Sequence, residues 1–403
     1  MRNNHRNSGG YRPNRYRYGK RSFNPRNRGR RFGPKVQSIR IDQLIAKAVE
    51  TKPMNMFVDD YEYSQFDICD TLKRNAASKG YNHPTKIQRQ AIPEILNKKD
   101  ILGIATTGSG KTAAFLIPLI NKALADRRSR CLIIIPTREL AMQIQNEFKT
   151  LSRDTGLKSV LIMGGNSMRT QVNILRKNPQ FLICTPGRLK DCVQRNLINL
   201  NSINNVVLDE VDRMLDMGFI EDIRFVVERL NKDRQSLFFS ATMNRKSEEI
   251  ANTFLKNPMK IEIETQGPGK NVDQDVLRLK VGENKIEVLS VLLRKTEFKK
   301  VLIFTSTKRK ADQLCKCLQK EKIDTESLHG GKRQNQRTRI IDKFKCNRVD
   351  VLVATDVASR GLDVSNISHV INYDMPQSYD DYIHRIGRTG RAGKKGFALT
   401  FVG

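Results

Sequence analysis

From about residue 66 onward the chain alternates two hydrophobic rhythms. Short runs of Val, Ile, Leu and Phe are separated by longer stretches in which apolar residues recur every three to four positions, the spacing of one helix face. The short runs predict strands over 101–104, 131–135, 159–163, 180–184, 205–209, 236–240 and 259–263. Their near-continuous apolar character fits strands buried on both sides, so the alternation predicts a parallel sheet with helices on both faces. The rhythm breaks at T-Q-G-P-G-K-N (265–271), a linker composition. It resumes with strands expected over 275–281, 301–304, 323–327, 350–354, 369–373 and 396–402. The pattern therefore predicts two α/β domains, 63–264 and 272–403, joined by a short hinge at 265–271. In the extension over 36–62, Ile41, Leu44, Ile45 and Ala48 share one helical face and predict a short packing helix.

Charge changes the picture at the N-terminus. Residues 1–35 hold twelve Lys and Arg and no acidic residue, in a background of Asn, Gly, Ser and Pro with five interleaved aromatics. Such a segment cannot bury enough apolar surface to offset its ordering entropy, so a disordered arm is expected. Arg attracts phosphates, and aromatic rings offer stacking surfaces to exposed bases, which favours nonspecific nucleic-acid binding over a merely solubilising tail. The whole chain has a formal net charge of +31, and removing those twelve charges leaves +19. The body is basic in its own right, as for a partner that is a polyanion. An anionic membrane surface is the competing partner, but no apolar run has the length to span a bilayer and the N-terminus is polar rather than a signal peptide. Seven cysteines without a C-x-x-C pair are expected to be reduced residues of a cytoplasmic protein, not a zinc site or a disulfide framework.

Two motifs carry chemistry. Residues 105–112 read A-T-T-G-S-G-K-T directly after the strand run 101–104 and before the helix-like A-A-F-L-I-P-L-I. A buried strand ending in a Gly-rich turn that opens a helix is a phosphate cradle, because the turn N–H groups and the helix N-terminus both face the anion. Gly108 and Gly110 allow close backbone approach, Lys111 reaches the β- and γ-phosphates, and Thr112 supplies a hydroxyl for Mg2+. Ala105 stands where the general pattern has Gly. At 206–212, V-V-L-D-E-V-D delivers Asp209 and Glu210 to the end of another buried strand. In a P-loop enzyme one carboxylate there holds magnesium through water and its neighbour positions the attacking water.

The second half has no phosphate loop but carries Y-I-H-R-I-G-R-T-G-R (382–391). Arg388 and Arg391 are placed to act as arginine fingers across a cleft, a surface basic loop being the plainer reading. A-T-D-V-A-S-R-G-L-D (354–363) puts Asp356 and Asp363 at a strand's carboxyl end, where open α/β sheets bind ligands.

Taken together, these motifs resemble in kind and order those of the DEAD-box RNA helicases of superfamily 2, from about residue 63 to the C-terminus. The resemblance implies two tandem RecA-like domains. It implies that G-Y-N-H-P-T-K-I-Q (80–88) is the adenine-reading segment, with Tyr81 stacking on the base and Gln88 reading its edge. The upstream aromatic is Tyr63 where the family usually has Phe. Ala105, Thr106, Thr107, Gly108, Ser109, Gly110, Lys111 and Thr112 match the family's own loop, A-x-T-G-x-G-K-T. By the same resemblance Pro136, Thr137, Arg138, Gly164, Gly165, Thr185, Pro186, Gly187 and Arg188 grip the RNA backbone in the first domain. In the second, V-L-I-F-T-S-T (301–307), Gln334, Arg337, Thr355 and Asp356 match RNA- and interface-contacting positions, and Gly361, Asp363, Arg388 and Arg391 match ATP-contacting ones. Asp212, Ser240, Ala241, Thr242 and His384 match residues that couple the domains.

The implied activity is ATP-dependent, Mg2+-requiring local unwinding of short RNA duplexes or remodelling of RNA–protein complexes, by a monomer that reads RNA backbone rather than sequence. Catalysis would fall to Lys111, Asp209, Glu210, Arg388 and Arg391. Two departures stand out. Val211 turns the signature into D-E-V-D, which keeps every carboxylate and is expected to alter packing rather than turnover. The chain stops at Phe401-Val402-Gly403 directly after a strand, where the family usually continues into further helix, so a second domain that is incomplete or unusually short is expected. A DNA-directed motor, a non-hydrolysing RNA clamp and an arm-driven strand-annealing chaperone remain the alternatives at this point.

Overall fold

The structure, a computed structural model, describes residues 39–49, 56–106, 108–263, 271–359, 364, 366–390 and 394–402. The expected arm (1–35), most of the linker, Thr107, Gly361, Asp363 and Arg391 lie outside the described residues.

The first sheet is built from β1 (Ile101–Ile104), β2 (Cys131–Ile134), β3 (Ser159–Ile162), β4 (Phe181–Cys184), β5 (Asn205–Leu208), β6 (Gln235–Ser240) and β7 (Met259–Glu262). They pair in the order β3-β4-β2-β5-β6-β1-β7, all parallel. Connecting them are α1 (Asp70–Ser78), α2 (Lys86–Leu96), α3 (Lys111–Ala125), α4 (Arg138–Leu151), α5 (Met168–Leu175), α6 (Pro186–Gln194), α7 (Val211–Asp216), α8 (Ile220–Val227) and α9 (Arg245–Phe254). Alternate residues of one strand enter opposite cores. Cys131 and Ile133 pack with α2, α3 and α4, whereas Leu132 and Ile134 pack with α6, α7, α8 and α9. This two-sided burial is why the strands read as apolar runs instead of alternating ones.

The second sheet holds β8 (Val272–Arg278), β9 (Val301–Phe304), β10 (Thr325–Leu328), β11 (Val351–Ala354), β12 (His369–Asn372) and β13 (Gly396–Val402), again parallel, in the order β10-β11-β9-β12-β13-β8. Its helices are α10 (Lys285–Leu293), α11 (Lys308–Lys320), α12 (Gln334–Lys345), α13 (Asp356–Ser359) and α14 (Tyr379–Ile386). Leu302, Phe304 and Leu352 face α12, and Val301, Ile303 and Val353 face α10 and α11. Each sheet thus has its own pair of cores, the expected two-part α/β architecture.

Two local expectations need correction. The strand expected at 275–281 starts three residues earlier, because β8 is an edge strand whose V-D-Q-D-V-L-R sequence hides its start among polar residues. The packing helix expected around Ile41 is a single 3-10 turn, Ile41–Leu44, followed by extended backbone. Leu44 is fully buried but Ile45 is half exposed, and Ala46 bridges Gln274 in antiparallel fashion. Pairing with a sheet edge satisfies this backbone better than a lone short helix would.

Candidate active site

Strand order sorts the motifs. Loops that follow β5, β6 and β1 emerge side by side because those three strands are neighbours, so 209–212, 240–242 and 105–112 form one continuous rim. The Ala105 N–H donates to the Ser240 carbonyl at 3.0 Å and joins two of them directly. The loops after β3, β4 and β2, carrying Gly164–Gly165, Thr185–Arg188 and Pro136–Arg138, make up the other half of the same carboxyl edge. In an open parallel sheet this is the edge where ligands bind.

The phosphate-loop candidate has the backbone its glycines permit. Gly108 and Gly110 have φ of 88° and 93°. A Cβ on Gly110 would stand 2.5 Å from Gln88 Nε2 and 2.7 Å from Thr85 Oγ1, so only glycine fits there. Helix α3 starts at Lys111 without a side-chain cap, leaving its first N–H groups unclaimed by side chains. Lys111 Nζ reaches back across the loop to the Ala105 carbonyl at 2.6 Å. Ser109 Oγ is buried without a protein partner. Thr112, the next residue of α3, is partly exposed.

Opposite the loop, Asp209 ends β5 and is almost solvent-free. Burial pushes its carboxyl up to about 6, with Lys111 opposing the shift and Glu210 adding to it. Glu210 has φ 55°, an uncommon left-handed conformation for a non-glycine residue, and precedes α7. Its N–H donates to Asp209 Oδ1 at 2.9 Å, and its carboxylate is paired with Arg213 one helical turn on. Asp212 is clamped to the S-A-T segment. Its Oδ2 accepts from the Ala241 N–H (3.2 Å), the Thr242 N–H (3.0 Å) and Thr242 Oγ1 (3.2 Å), while its own N–H donates to Ser240 Oγ at 3.3 Å. Val211 is fully buried in the core under this loop.

In the adenine-segment candidate, Tyr81 stacks on Tyr63 with centroids 5.6 Å apart, and its hydroxyl donates to Glu147 at 2.5 Å. Gln88 is buried and its amide is already engaged. Oε1 accepts from Tyr63 Oη (2.5 Å) and the Thr85 N–H (2.8 Å), and Nε2 donates to the Gly110 carbonyl at 3.1 Å. Gln88 therefore braces the phosphate loop in addition to its expected place near a base.

The RNA-gripping candidates from the first sheet are brought together. Thr137 caps α4 by accepting from the Leu140 N–H at 3.3 Å, and Pro186 sits in the first turn of α6. The Arg138 guanidinium lies so close over Gly164 and Gly165 that a Cβ on Gly165 would overlap it. Arg188 donates to the Asn166 carbonyl at 3.2 Å. A groove of about 740 Å³ runs past Arg138, Gly165 and Asn166 and is closed on its far side by Lys332, Arg333 and Gln334 of the second half. Gln334 and Arg337 reach the first half itself, at 3.0 Å and 2.9 Å from Glu139 Oε1. Asp356 makes a two-pronged ion pair with Arg385, at 2.6 and 2.8 Å, and Thr355 precedes it at the end of β11. His384 and Arg388 lie on and just after α14.

Sequence reasoning passed over Glu139, Arg213 and Arg385. Glu139 and Arg213 directly follow residues already singled out and Arg385 lies within 382–391, but the role of each depends on a partner that only the fold supplies.

The comparisons agree with this arrangement. The family model for DEAD/DEAH box helicases matches residues 85–250, and that for the helicase conserved C-terminal domain matches residues 284–393. The chain is 41% identical to the ATP-dependent RNA helicase CshA of Limosilactobacillus reuteri over 85% of its own length and 69% of that protein. It is 42% identical to the DEAD-box ATP-dependent RNA helicase RhpA of Helicobacter pylori strain B128, over 87% and 72% of the two chains. Among solved structures it is similar to S. cerevisiae Dbp5 bound to RNA and ADP BeF3, with a TM-score of 0.73, 30% identity, and 85% and 89% of the two chains covered. No helix among the described residues is long and apolar enough to cross a membrane.

Proposed function

The chain belongs to the DEAD/DEAH box helicases, and from that premise we propose how its residues divide the work of an ATP-dependent RNA helicase. It is a tandem RecA-like enzyme that hydrolyses ATP to remodel RNA. The observation that carries the division of labour is the carboxyl edge of the first sheet, where the phosphate loop, D-E-V-D and S-A-T share one rim through Ala105–Ser240 and the Asp212 clamp.

ATP lies with its phosphates over 105–112, held by the loop N–H groups, the uncapped start of α3 and Lys111. Its base packs against Tyr81, and Gln88 links the base site to Gly110. Thr112 and Asp209 are hard oxygen donors of the kind magnesium takes while keeping most of its waters. A buried carboxylate with one oxygen bonded to a single N–H fits that use. Bound magnesium would neutralise charge on the phosphates. Glu210 orients the attacking water and takes its proton, with Arg213 fixing the carboxylate. To Gly361, Asp363, Arg388 and Arg391 of the second domain we assign the remaining nucleotide contacts, with the two arginines stabilising charge that develops on the γ-phosphoryl group.

RNA follows the basic groove past Arg138, Gly164–Gly165 and Thr185–Arg188 and onto Gln334, Arg337, Thr355 and Asp356. Contacts to phosphate and 2′-hydroxyl make recognition largely independent of sequence. Asp212 joins the hydrolytic loop to Ser240–Thr242, so the state of the phosphates reaches the RNA half of the edge, with His384 serving the same coupling from the other domain. By linkage, ATP and RNA each tighten the other. Seven free cysteines favour a reducing compartment, the cytoplasm.

The test is steady-state ATP hydrolysis without nucleic acid, with single-stranded RNA and with matched DNA, beside a Glu210→Gln control. Stimulation by RNA alone, lost in the control, is the expected result. Turnover equal with DNA would redirect the reading to a DNA motor, and ATP-dependent RNA binding without turnover would make it a clamp.

A further inference from the structure

Residues Ile39–Val49 run along the outer edge of the second sheet. β8 is the last strand there, its inner side paired with β13. Ala46 closes the edge over one residue pair. Its N–H donates to the Gln274 carbonyl at 3.1 Å, and its carbonyl accepts from the Gln274 N–H at 2.7 Å. The Ala48 N–H donates to Asp273 Oδ1 at 2.7 Å, and Asp273 also pairs with Lys395. Leu44 is fully buried among Val272, Tyr382, Ile386 and Ala398. The Tyr382 hydroxyl lies 3.3 Å from the Leu44 carbonyl and 3.0 Å from Gln274 Oε1.

This contact falls on the helix that carries the second domain's chemistry. Tyr382 and Ile386 flank His384 and Arg385 on α14, and the Arg388 N–H is still bound to the Arg385 carbonyl at 3.1 Å. The small cluster around Leu44 is separate from the two cores that hold the second sheet together. It joins the outer strands of the sheet, through Val272 of β8 and Ala398 of β13, to α14. Arg385 anchors α14 through Asp356, Asn372 and the Asp374 carbonyl, and Leu44 packs against Tyr382 and Ile386 of the same helix, where a vacated leucine site would be filled only by movement.

We propose that Leu44 is a positioning residue for ATP hydrolysis: the N-terminal strap, hooked to β8 at Ala46, wedges Leu44 under α14 and so fixes where Arg388 stands. The strap then ties nucleotide chemistry to the segment leading back to the first domain, where Phe57 bridges Thr85 at the start of α2. The inference rests on the reading of Arg388 as a phosphate-facing residue.

The test uses the full chain with Leu44→Asp, which ejects the side chain, and Ala46→Pro, which deletes the N–H given to Gln274. Leu44→Met serves as the conservative rescue. Hydrogen exchange of the Gln274 amide reports whether the strap is released. With RNA saturating, the first two variants are expected to lose roughly tenfold to a hundredfold in kcat, the cost of a displacement near 1 Å at a reacting centre. KM for ATP should stay within about twofold, since the phosphate loop is untouched. Leu44→Met should match the parent. A normal kcat while Gln274 exchanges freely would overturn the proposal. Arg388→Ala, run in parallel, separates the failures. A normal rate there removes the phosphate-facing reading and the proposal with it, whereas a lost rate there beside a normal rate in Leu44→Asp removes the strap's role alone.

Discussion

Arg337 Nη2 lies 2.9 Å from Glu139 Oε1, and the two residues belong to helices on different sheets, α12 and α4. Their side chains are only 7% and 6% exposed, and Gln334 Nε2 donates to the same carboxylate oxygen at 3.0 Å. One carboxylate thus holds two groups from the opposite half. A buried pair is costly to break from one side, because the remaining charge is left desolvated.

Glu139→Ala should therefore weaken the arrangement in which the halves touch, by on the order of 3–5 kcal/mol at this contact. The expected readout is loss of RNA affinity measured with a non-hydrolysable ATP analogue, with ADP affinity unchanged. If RNA binds the variant as tightly as the parent in the presence of the analogue, the pair does not contribute to the RNA-bound arrangement.

Tyr63 offers a second test. Its hydroxyl donates to Gln88 Oε1 at 2.5 Å, an acceptor that a base edge would also use. Tyr63→Phe keeps the ring on Tyr81 and frees one lone pair of that oxygen, the Thr85 N–H keeping the other. A neutral hydrogen bond is worth about 0.5–1.5 kcal/mol net, so KM for ATP should fall roughly twofold to tenfold. KM for a pyrimidine triphosphate should not move. A rise in KM for ATP would mean that the hydroxyl orients Gln88 for the base instead of competing with it.

Val211, the unusual residue of the signature, is fully buried beside Met214 and Phe238. Its side chain does not face the carboxylates' hydrogen-bond partners but fills core. Val211→Ala should leave RNA-stimulated turnover within about twofold while lowering stability by roughly 1–3 kcal/mol through the lost packing. Thermal melts and ATPase rates on the same preparation decide it, and a large gain in turnover would show that Val211 restrains the loop.

The inner strands were legible in the sequence because two-sided burial demands apolar runs, and the phosphate loop because its glycines are required by backbone geometry. The start of β8 was not, since an edge strand tolerates Asp273, Gln274 and Asp275. Nor was the strap. The spacing of Ile41, Leu44, Ile45 and Ala48 fits a helix, and only the distant partners Gln274 and Tyr382 draw it out along a sheet edge. The same holds for the site. Residue types at motif positions were readable, but the pairings Glu139–Arg337, Glu210–Arg213 and Asp356–Arg385 join side chains whose meeting the fold decides.

His369 makes the second domain acid-sensitive. It is the first residue of β12, stacked between Phe298 and Phe397 with ring centroids 4.0 and 5.0 Å away, and Nδ1 lies 3.0 Å from Ser368 Oγ. Burial pushes its pKa down to about 4, and Glu297, the acidic group that opposes the shift, does not offset it. A histidine whose folded pKa lies below its unfolded value of about 6.5 favours the fold most when neutral. That stability is complete above pH ~6.5, declines below it, and is gone once the pH has fallen through about 4. The loss should be on the order of 1–3 kcal/mol, discounted for relaxation of the stack. His369→Phe keeps an aromatic ring between its neighbours and removes the titration. Melting the parent and the variant side by side from pH 7.5 to 4.5 isolates the effect, because carboxylates titrate alike in both. The two curves should diverge as the pH falls, with the variant the more stable at the acid end. Parallel curves would mean that the stack opens to admit the charged ring at little cost.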